Sequence, residues 1–305
     1  MQPRPAHRTT GSVALALVAA PLAAALAVAG GAAPGAQEPE PLPLTVMTFN
    51  IRTSLNSAED GENGWPHRRA LVADTIARVA PEVAGLQEAL ADQLEYLSAK
   101  LPDYRWLGVD RGLNGGEGLS EHVPIFYRYR ELLPVESGTF WLSPTPAGPT
   151  GTGFRRRVSR IVTWAHFHHV GADRRFYVYN THLTLRRGER QVNSATMIAE
   201  RIAGLPAGAP VLAIGDFNST AEHSDTWRAA TATGLRDAWL LADRRIGPAR
   251  TSSDFRPPEQ ANEGRIDWIL VGGPIGVRSV ETVIDHDNAR YPSDHYPVVA
   301  RVLLH

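Results

Sequence analysis

Residues 160–183, RIVTWAHFHHVGADRRFYVYNTHL, contain two strand-like runs separated by a turn. The runs at residues 160–167 and 175–183 are rich in β-branched and aromatic residues, and residues 171–173 between them are typical of a hairpin turn. Around this segment the chain alternates short apolar runs with amphipathic stretches. Because strand pairs recur without intervening helices, the pattern excludes a strict βα repeat and predicts an α/β fold of two packed sheets flanked by helices.

The remaining elements follow from hydrophobic periodicity, which differs between strands and helices. Further strands are predicted at residues 44–51, 83–86, 125–129, 138–142, 211–214, 266–271, 277–284 and 297–303. Helices are predicted at residues 66–80, 90–101, 189–203 and 225–233.

The N-terminus has the layout of a secretory signal. Arg4 and Arg8 precede an apolar run at residues 13–29, and small residues follow it. We therefore expect residues 1–36 to be a signal peptide and the protein to be secreted or periplasmic. The apolar run is also long enough to remain as a membrane anchor if it is not cleaved.

The rest of the chain divides into a linker and a single domain. Residues 37–44, QEPEPLPL, have the Pro/Glu composition of a short linker. Residues 45–305 show no composition break, and their number lies at the upper end for one domain.

Charge and cysteine content limit the classes of function. Residues 37–305 carry 29 basic and 32 acidic side chains, a net charge of −3, whereas a dedicated nucleic-acid binder usually carries a basic stripe. The chain contains no cysteine, which excludes disulfides, thiolate nucleophiles and Cys-ligated zinc. Any metal would be bound by carboxylate, carbonyl or imidazole groups, which favours Mg²⁺, Mn²⁺ or Ca²⁺.

Polar residues stand at or next to the ends of several predicted strands, where a rigid scaffold can hold catalytic groups. They are Asn50, Glu88, His182, Asp216, Asn218, Asp267, Asp294 and His295. Each alone has an ordinary interpretation, since Asn and Asp commonly form turns and a lone histidine is more often structural. The set as a whole indicates a hydrolytic site.

Seven segments of the chain carry a resemblance to a known family. They are TFNIR (48–52), LQE (86–88), EHVPIFYR (121–128), NTHL (180–183), GDFN (215–218), RIDWILV (265–271) and SDHYPV (293–298). In this order they resemble the endonuclease/exonuclease/phosphatase superfamily, whose members share the fold of pancreatic deoxyribonuclease. The stretches GENGWPHRR (61–69) and RIVTWA (160–165) are similar to its secreted bacterial members.

The resemblance implies a four-layer α/β/β/α sandwich of two mainly antiparallel sheets, with the site along one edge. It also implies a divalent metal, Mg²⁺ above all, held by Asn50, Glu88 and Asp294. The metal would neutralise charge on the phosphate oxygens of a substrate.

The resemblance further implies a role for each catalytic residue. His295, oriented by Asp267, would hydrogen-bond the scissile phosphate or activate water. Asp216 and Asn218 would align the water or the leaving group, and His182 would donate to phosphate oxygens.

The resemblance implies two further supporting residues, and the chain departs from the family pattern at two places. Asn180 would support the site without contacting the substrate, and Glu121 would hold a histidine in position. Thr184 stands where many relatives have an aspartate, which indicates a changed substrate rim. TSSDF (251–255) replaces a Phe-x-Gly-Phe segment that usually shapes the pocket.

The sequence thus predicts an exported, metal-dependent phosphoesterase that hydrolyses a phosphodiester or phosphomonoester by in-line attack of water. Two alternatives stay open: an extracellular nuclease acting on DNA or RNA, and a catalytically silent binding module. The acidic charge favours a small or lipid-derived phosphoester. No protein partner is indicated, and a monomer is expected. Two arginine clusters, residues 155–157 with 160 and residues 186–190, either bind a phosphate group or form a solvated rim.

Overall fold

The computed structural model of the protein describes residues 40–112, 120–143, 160–262, 264–288 and 290–305. The predicted signal peptide, residues 37–39 of the predicted linker and the arginines at positions 155–157 lie outside the described residues. Within the described ranges, no helix has the length and apolar character needed to cross a bilayer.

Strands and helices alternate irregularly along the described chain. The strands are β1 (Leu42–Asn50), β2 (Val83–Gln87), β3 (Tyr104–Leu107), β4 (Ile125–Arg128), β5 (Leu132–Trp141), β6 (Ile161–His169), β7 (Arg174–His182), β8 (Val211–Asp216), β9 (Arg236–Asp237), β10 (Arg244–Ile246), β11 (Asp267–Gly272), β12 (Ile275–Thr282) and β13 (Val298–Leu304). The α-helices are α1 (Ser57–Asp60), α2 (Trp65–Val79), α3 (Ala91–Lys100), α4 (Glu189–Ala203), α5 (Asp225–Thr231) and α6 (Ala238–Leu241), with 3-10 turns at Ser54–Asn56, Gly61–Asn63 and Pro258–Gln260.

The strands form two sheets. The first has the order β10-β12-β13-β1-β2-β4-β3, and the second has the order β5-β6-β7-β8-β11-β9. Antiparallel pairs predominate, and the parallel pairs are β1–β2, β10–β12 and β7–β8. The β6–β7 hairpin of the opening segment is present, with His169 opposite Arg174. These features confirm the predicted fold class.

Alternation along the strands sends successive side chains into different layers. Val46 of β1 packs in the core between the sheets with Ile214 of β8, whereas its neighbour Met47 packs in the outer core that contains Ile76 of α2. Residues of α4, such as Ile198, pack in a third core against the second sheet. The layers therefore run helix, sheet, sheet, helix, as predicted.

The first strand begins earlier than the sequence indicated. β1 starts at Leu42, inside the predicted linker, because Leu42 pairs with Leu304 of the last strand. This pairing ties the start of the domain to its end.

Candidate active site

The predicted site residues lie at one edge of the sheets, because the strands that carry them end or begin there. In the first sheet, Asn50 ends β1 beside Gln87, the last residue of β2. In the second sheet, His182 ends β7 beside Asp216 of β8, and Asp216 is paired with Asp267 of β11. The backbone register alone therefore brings these side chains to one edge.

His295 forms a buried pair with Asp267. Its Nδ1 atom lies 2.9 Å from Oδ2 of Asp267, and its Nε2 atom lies 3.9 Å from Oδ2 of Asp216. Burial lowers the pKa of His295, but the charges of Asp267 and Asp216 outweigh it and leave this pKa well above the ordinary value. With Nδ1 engaged by Asp267, Nε2 is the atom available for proton transfer.

Asp216 contacts both His295 and Asn50 and so connects the histidine pair to the residues of the first sheet. Its Oδ1 accepts a hydrogen bond from the backbone N of Asn218 at 2.8 Å, and its Oδ2 accepts one from Nδ2 of Asn50 at 3.0 Å. The same amide of Asn50 donates to Oε1 of Glu88 at 3.1 Å. Burial, and next the charge of Asp267, raises the pKa of Asp216 to about 7. A carboxyl group that titrates near neutral pH is suited to proton transfer.

The amide of Asn218 determines the tautomer of His182. Its Nδ2 donates to the carbonyl of Leu183 at 2.9 Å, so this amino group also faces Nε2 of His182 at 2.9 Å. Nε2 must then accept, which places the ring proton on Nδ1. Burial, then the charges of Arg160 and Arg111, lowers the pKa of His182 well below its ordinary value, so the ring is neutral. Nδ1 is buried without a partner among the described residues.

Glu88 and Asp294 form the carboxylate part of the site. Oε2 of Glu88 accepts a hydrogen bond from the backbone N of Thr53 at 3.1 Å. Burial raises the pKa of Asp294, and the negative charge of Glu88 adds to this rise. Nη1 of Arg52 lies 3.4 Å from Oδ2 of Asp294 and offsets part of the repulsion between the two carboxylates. Their hard oxygen atoms suit a divalent cation such as Mg²⁺. These two residues therefore fit a divalent metal.

Asn50 contacts the carboxylates of the site through its side-chain nitrogen, Nδ2. Its Nδ2 faces the carboxylates of Glu88 and Asp216, while its Oδ1 accepts from the backbone N of Arg52 at 3.0 Å. An amide nitrogen does not bind a cation, so in this arrangement Asn50 positions the carboxylates. Its predicted role as a direct metal ligand stays a prediction.

A second group could hold a cation. Ligand atoms of Asp216, Asp267 and His295 all lie within 4.8 Å of one another.

Three residues beside the site have left-handed backbone conformations. They are Arg52 (φ 54°), Glu88 (φ 63°) and Asn218 (φ 49°). Asparagine adopts this region readily, whereas glutamate and arginine seldom do. Such strain concentrates at functional sites, where surrounding contacts hold it in place.

Asn180 joins the two sheets behind the site. Its Nδ2 donates to the carbonyls of Leu86 at 2.9 Å and Pro124 at 2.8 Å, and its Oδ1 accepts from Nε2 of Gln87 at 2.7 Å. Gly85 makes room for it, since a Cβ there would lie 2.7 Å from the Asn180 side chain. This location agrees with the supporting position expected for Asn180.

Glu121 contacts an arginine where a histidine was expected. Its Oε1 lies 2.6 Å from Nη2 of Arg111, and the backbone N of Arg111 donates to the Glu121 carbonyl at 3.1 Å. A bridge between Asp110 and His122 aligns the two segments. Because this alignment places Arg111 against Glu121, the ion pair takes the place of the expected histidine contact.

The TSSDF loop fixes the catalytic segments. Oγ1 of Thr251 accepts from the backbone N of Asp267 at 3.1 Å, and the backbone N of Ser253 donates to the Asp294 carbonyl at 2.6 Å. Thr251 and Ser253 are completely buried. At these two positions the loop holds the backbone of Asp267 and Asp294 in place. The resemblance implied instead that this loop shapes the pocket.

Arg68 lies beneath the site and was not predicted as a functional residue. It is completely buried, and its guanidinium donates to the backbone carbonyls of Ile51 at 2.5 Å, Arg52 at 2.7 Å and Pro292 at 3.0 Å. Arg68 therefore ties the segment that follows β1 to the segment that precedes β13.

Comparison with known proteins identifies the family. The profile of the Endonuclease/Exonuclease/phosphatase family matches residues 47–295. The chain belongs to this family. Its members are phosphoesterase and nuclease hydrolases that generally use a divalent metal. The resemblance predicted from seven sequence segments is confirmed.

Solved structures of other family members are similar along nearly their whole length. A protein of this family from Bacteroides thetaiotaomicron is 30% identical with a TM-score of 0.79, and the match covers 88% of this chain and 97% of that chain. The mannosyl-6-phosphatase of the same organism is 31% identical with a TM-score of 0.76, over 85% of this chain and 99% of that chain.

A curated relative matches over a shorter stretch. The uncharacterized protein YbhP of Escherichia coli is 35% identical over 128 residues, which is 42% of this chain and 46% of YbhP. The match thus spans about half of that relative.

Proposed function

We propose that this protein is an exported, divalent-metal-dependent phosphoesterase that releases phosphate from a small phosphorylated molecule, a sugar phosphate in the first instance. The position of Asp216 carries the proposal. Its Oδ2 accepts from Asn50, which also contacts Glu88, and lies 3.9 Å from Nε2 of His295. The carboxylate group and the acid–base pair are therefore parts of one centre.

The proposed reaction is in-line attack of water on phosphorus, with cleavage of the bond to the leaving oxygen. Asp216, whose pKa is near 7, accepts a proton from the attacking water. His295, cationic at neutral pH, supplies a proton from Nε2 to the departing oxygen. The family resemblance also assigns His182 a hydrogen bond to a phosphate oxygen. A metal bound at Glu88 and Asp294 would neutralise charge on the phosphate.

The substrate class rests on the similarity to the mannosyl-6-phosphatase, 31% identical over 85% of this chain. The net charge of −3 for residues 37–305 also favours a small substrate, because affinity for a nucleic-acid backbone depends on many basic contacts. Export rests on the pattern of residues 1–36. Mass spectrometry of protein recovered from outside the cytoplasm tests export, and an intact N-terminus inside the cell would contradict it.

A hydrolysis panel tests the reaction and its substrate. It contains mannose 6-phosphate, glucose 6-phosphate, nucleotides, inositol phosphates, phospholipids, DNA and RNA, each with Mg²⁺, Mn²⁺ or EDTA. We expect turnover of sugar phosphates that EDTA abolishes. Faster turnover of DNA or RNA would replace the proposal with the nuclease alternative. Folded, metal-supplied protein without turnover on any member would favour the binding module.

A further inference from the structure

A cavity opens beside the two chain segments that carry His182 and Asn218. Its volume is about 360 Å³, which lies in the range of small-molecule sites. One wall is the start of α4 with the loop that leads to it from His182, and the other wall is the segment that follows Asn218. Both walls are therefore continuations of segments that contribute to the catalytic centre.

Gln191 connects the cavity to the catalytic centre. It lines the cavity and is almost completely buried. Its Nε2 donates to the backbone carbonyls of Thr184 at 2.6 Å and Asn218 at 2.9 Å, and the side-chain amide of Asn218 faces His182. The two walls are thus held together next to His182, where the family resemblance places a phosphate oxygen. A substrate with its phosphate at His182 can extend the group attached to that phosphate into the cavity.

The polar side chains of the cavity include several without a partner. Arg187, Ser219, Thr220 and His223 line it, and their side chains form no hydrogen bond or ion pair with any of the described residues. Ser219 is only 4% exposed, so its hydroxyl group has lost most of its contact with water without gaining a protein partner. Because buried polar groups almost always have a partner, this arrangement indicates a ligand that completes the hydrogen bonds.

The chemistry of the lining favours a neutral ligand with several hydroxyl groups. The hydroxyl groups of Ser219 and Thr220 both donate and accept, and the guanidinium of Arg187 donates. Arg228 also lines the cavity, but it lies 2.6 Å from Asp225 and is neutralised by it, so we assign this pair no part in binding. The remaining arginine, Arg187, is exposed. A single exposed cation favours a sugar over a second phosphate group, which binds best to several cationic donors.

We propose that this cavity binds the sugar ring of the substrate while the phosphate lies at the catalytic centre, and that Arg187, Ser219 and Thr220 hydrogen-bond the sugar hydroxyl groups. This inference rests on the proposed phosphoesterase function. The cavity adds contacts only for substrates that carry a ring with hydroxyl groups. It therefore makes the site selective for sugar phosphates over simple alkyl phosphates.

The kinetic test compares mannose 6-phosphate with methyl phosphate, which has a similar leaving oxygen but no ring. We expect the wild type to have the higher kcat/KM for mannose 6-phosphate. Arg187→Ala should lower the ratio of the two kcat/KM values roughly 5- to 20-fold, because it removes a charged hydrogen-bond donor to the ring. Arg186→Ala is the matched control, since Arg186 is an exposed neighbour that does not line the cavity, and it should keep the wild-type ratio.

A second pair of variants tests the space instead of the hydrogen bonds. Val192 of α4 lines the cavity, whereas its neighbour Asn193 is exposed and does not. We expect Val192→Phe to fill part of the cavity and to lower the same ratio, and Asn193→Phe to leave it unchanged. Thermal unfolding verifies that the variants are folded. If Val192→Phe does not fold, Arg187→Ala decides, because it changes an exposed side chain.

The outcomes separate this inference from the proposed function. Hydrolysis of mannose 6-phosphate with the wild-type ratio in the folded cavity variants, or a wild type that prefers methyl phosphate, would overturn the sugar site alone. If the wild type hydrolyses no phosphoester, saturation-transfer NMR with mannose 6-phosphate in EDTA decides. Ring-proton signals that weaken in Arg187→Ala but not in Arg186→Ala would support the sugar site and overturn the proposed function. Signals that are absent in the wild type or unchanged in Arg187→Ala would overturn both.

Discussion

Nδ1 of His295 and Oδ2 of Asp267 are 2.9 Å apart, and both side chains are almost completely buried. The hydrogen bond orients the imidazole so that Nε2 faces Asp216. We expect Asp267→Asn to lower the pKa of His295, because it removes the carboxylate that raises it most. The rate constant kcat should fall roughly 10²–10⁴-fold. NMR titration of the imidazole and steady-state kinetics measure the two effects, with Asp225→Asn, an exposed carboxylate, as the control.

The stabilisation that the pair of His295 and Asp267 gives to the metal-free protein should depend on pH. The folded-state pKa of His295 lies above its ordinary value of 6.5. The stabilisation from charged His295 is therefore fully present below pH 6.5 and is lost as the pH rises through the folded-state pKa. The difference in unfolding free energy between wild type and Asp267→Asn should shrink over that range. A difference that is constant or grows with pH would contradict the assignment.

Gly215 of the GDFN segment allows β8 to approach β7 closely. Its φ is +151°, and a Cβ at this position would clash with the carbonyl oxygen of Thr181. We expect Gly215→Ala to lower the free energy of unfolding by roughly 2–4 kcal/mol. Urea denaturation measures the loss. Gly188→Ala is the matched control, because Gly188 also has positive φ (+106°) but open space around it. Equal losses in the two variants would show that backbone strain, and not the clash, is the cause.

Arg68 holds two chain segments through backbone carbonyls, and a lysine could reach only some of them. We expect Arg68→Lys to lower the free energy of unfolding by about 2–4 kcal/mol, and metal affinity should fall too, because the segments carrying Asn50 and Asp294 loosen. The control is Arg69→Lys, the same change at the exposed neighbouring position. Thermal unfolding with and without Mg²⁺ measures both effects, and wild-type behaviour in both would show that the buried guanidinium is dispensable.

Much of the fold could be predicted because its long elements follow simple patterns. α4 was predicted with its observed bounds, since its apolar residues recur at helical spacing. β5 was predicted too short, because Pro134 interrupts it and the pairing shifts register between Pro134 and Glu136. Such features are tolerated in an edge strand. β9 (RD) and β10 (RRI) have polar sequences and form only because neighbouring strands offer backbone partners.

The predicted site residues gather at one edge, but their orientations could not be predicted. The left-handed conformation of Glu88 and the tautomer of His182 depend on contacts with segments far away in the chain. The burial of Arg68 could have been predicted from the sequence, because Arg68 lies four residues before Val72 and therefore on the same, buried face of α2. A charged residue on an apolar face must find partners, and here they are carbonyls that the sequence does not reveal.

Metal binding can be measured without turnover. If Glu88 binds the ion, Mg²⁺ or Mn²⁺ should raise the Tm of the wild type by an amount that grows with the logarithm of the free metal concentration, and Glu88→Gln should reduce this rise strongly. Glu95→Gln, on the exposed face of α3, should respond to metal as the wild type does. An equal metal-induced rise in Glu88→Gln would place the ion elsewhere, for instance at Asp216, Asp267 and His295.

The most direct test of the account is the initial rate of phosphoester hydrolysis by His295→Ala, measured with saturating metal on the best substrate of the panel. His168→Ala, which removes a half-buried histidine of β6, is the control, and thermal unfolding verifies that both variants are folded. The account predicts metal-dependent turnover in the wild type and the control, and a rate roughly 10²–10⁴-fold lower in His295→Ala. Folded His295→Ala that turns over at the wild-type rate would contradict it.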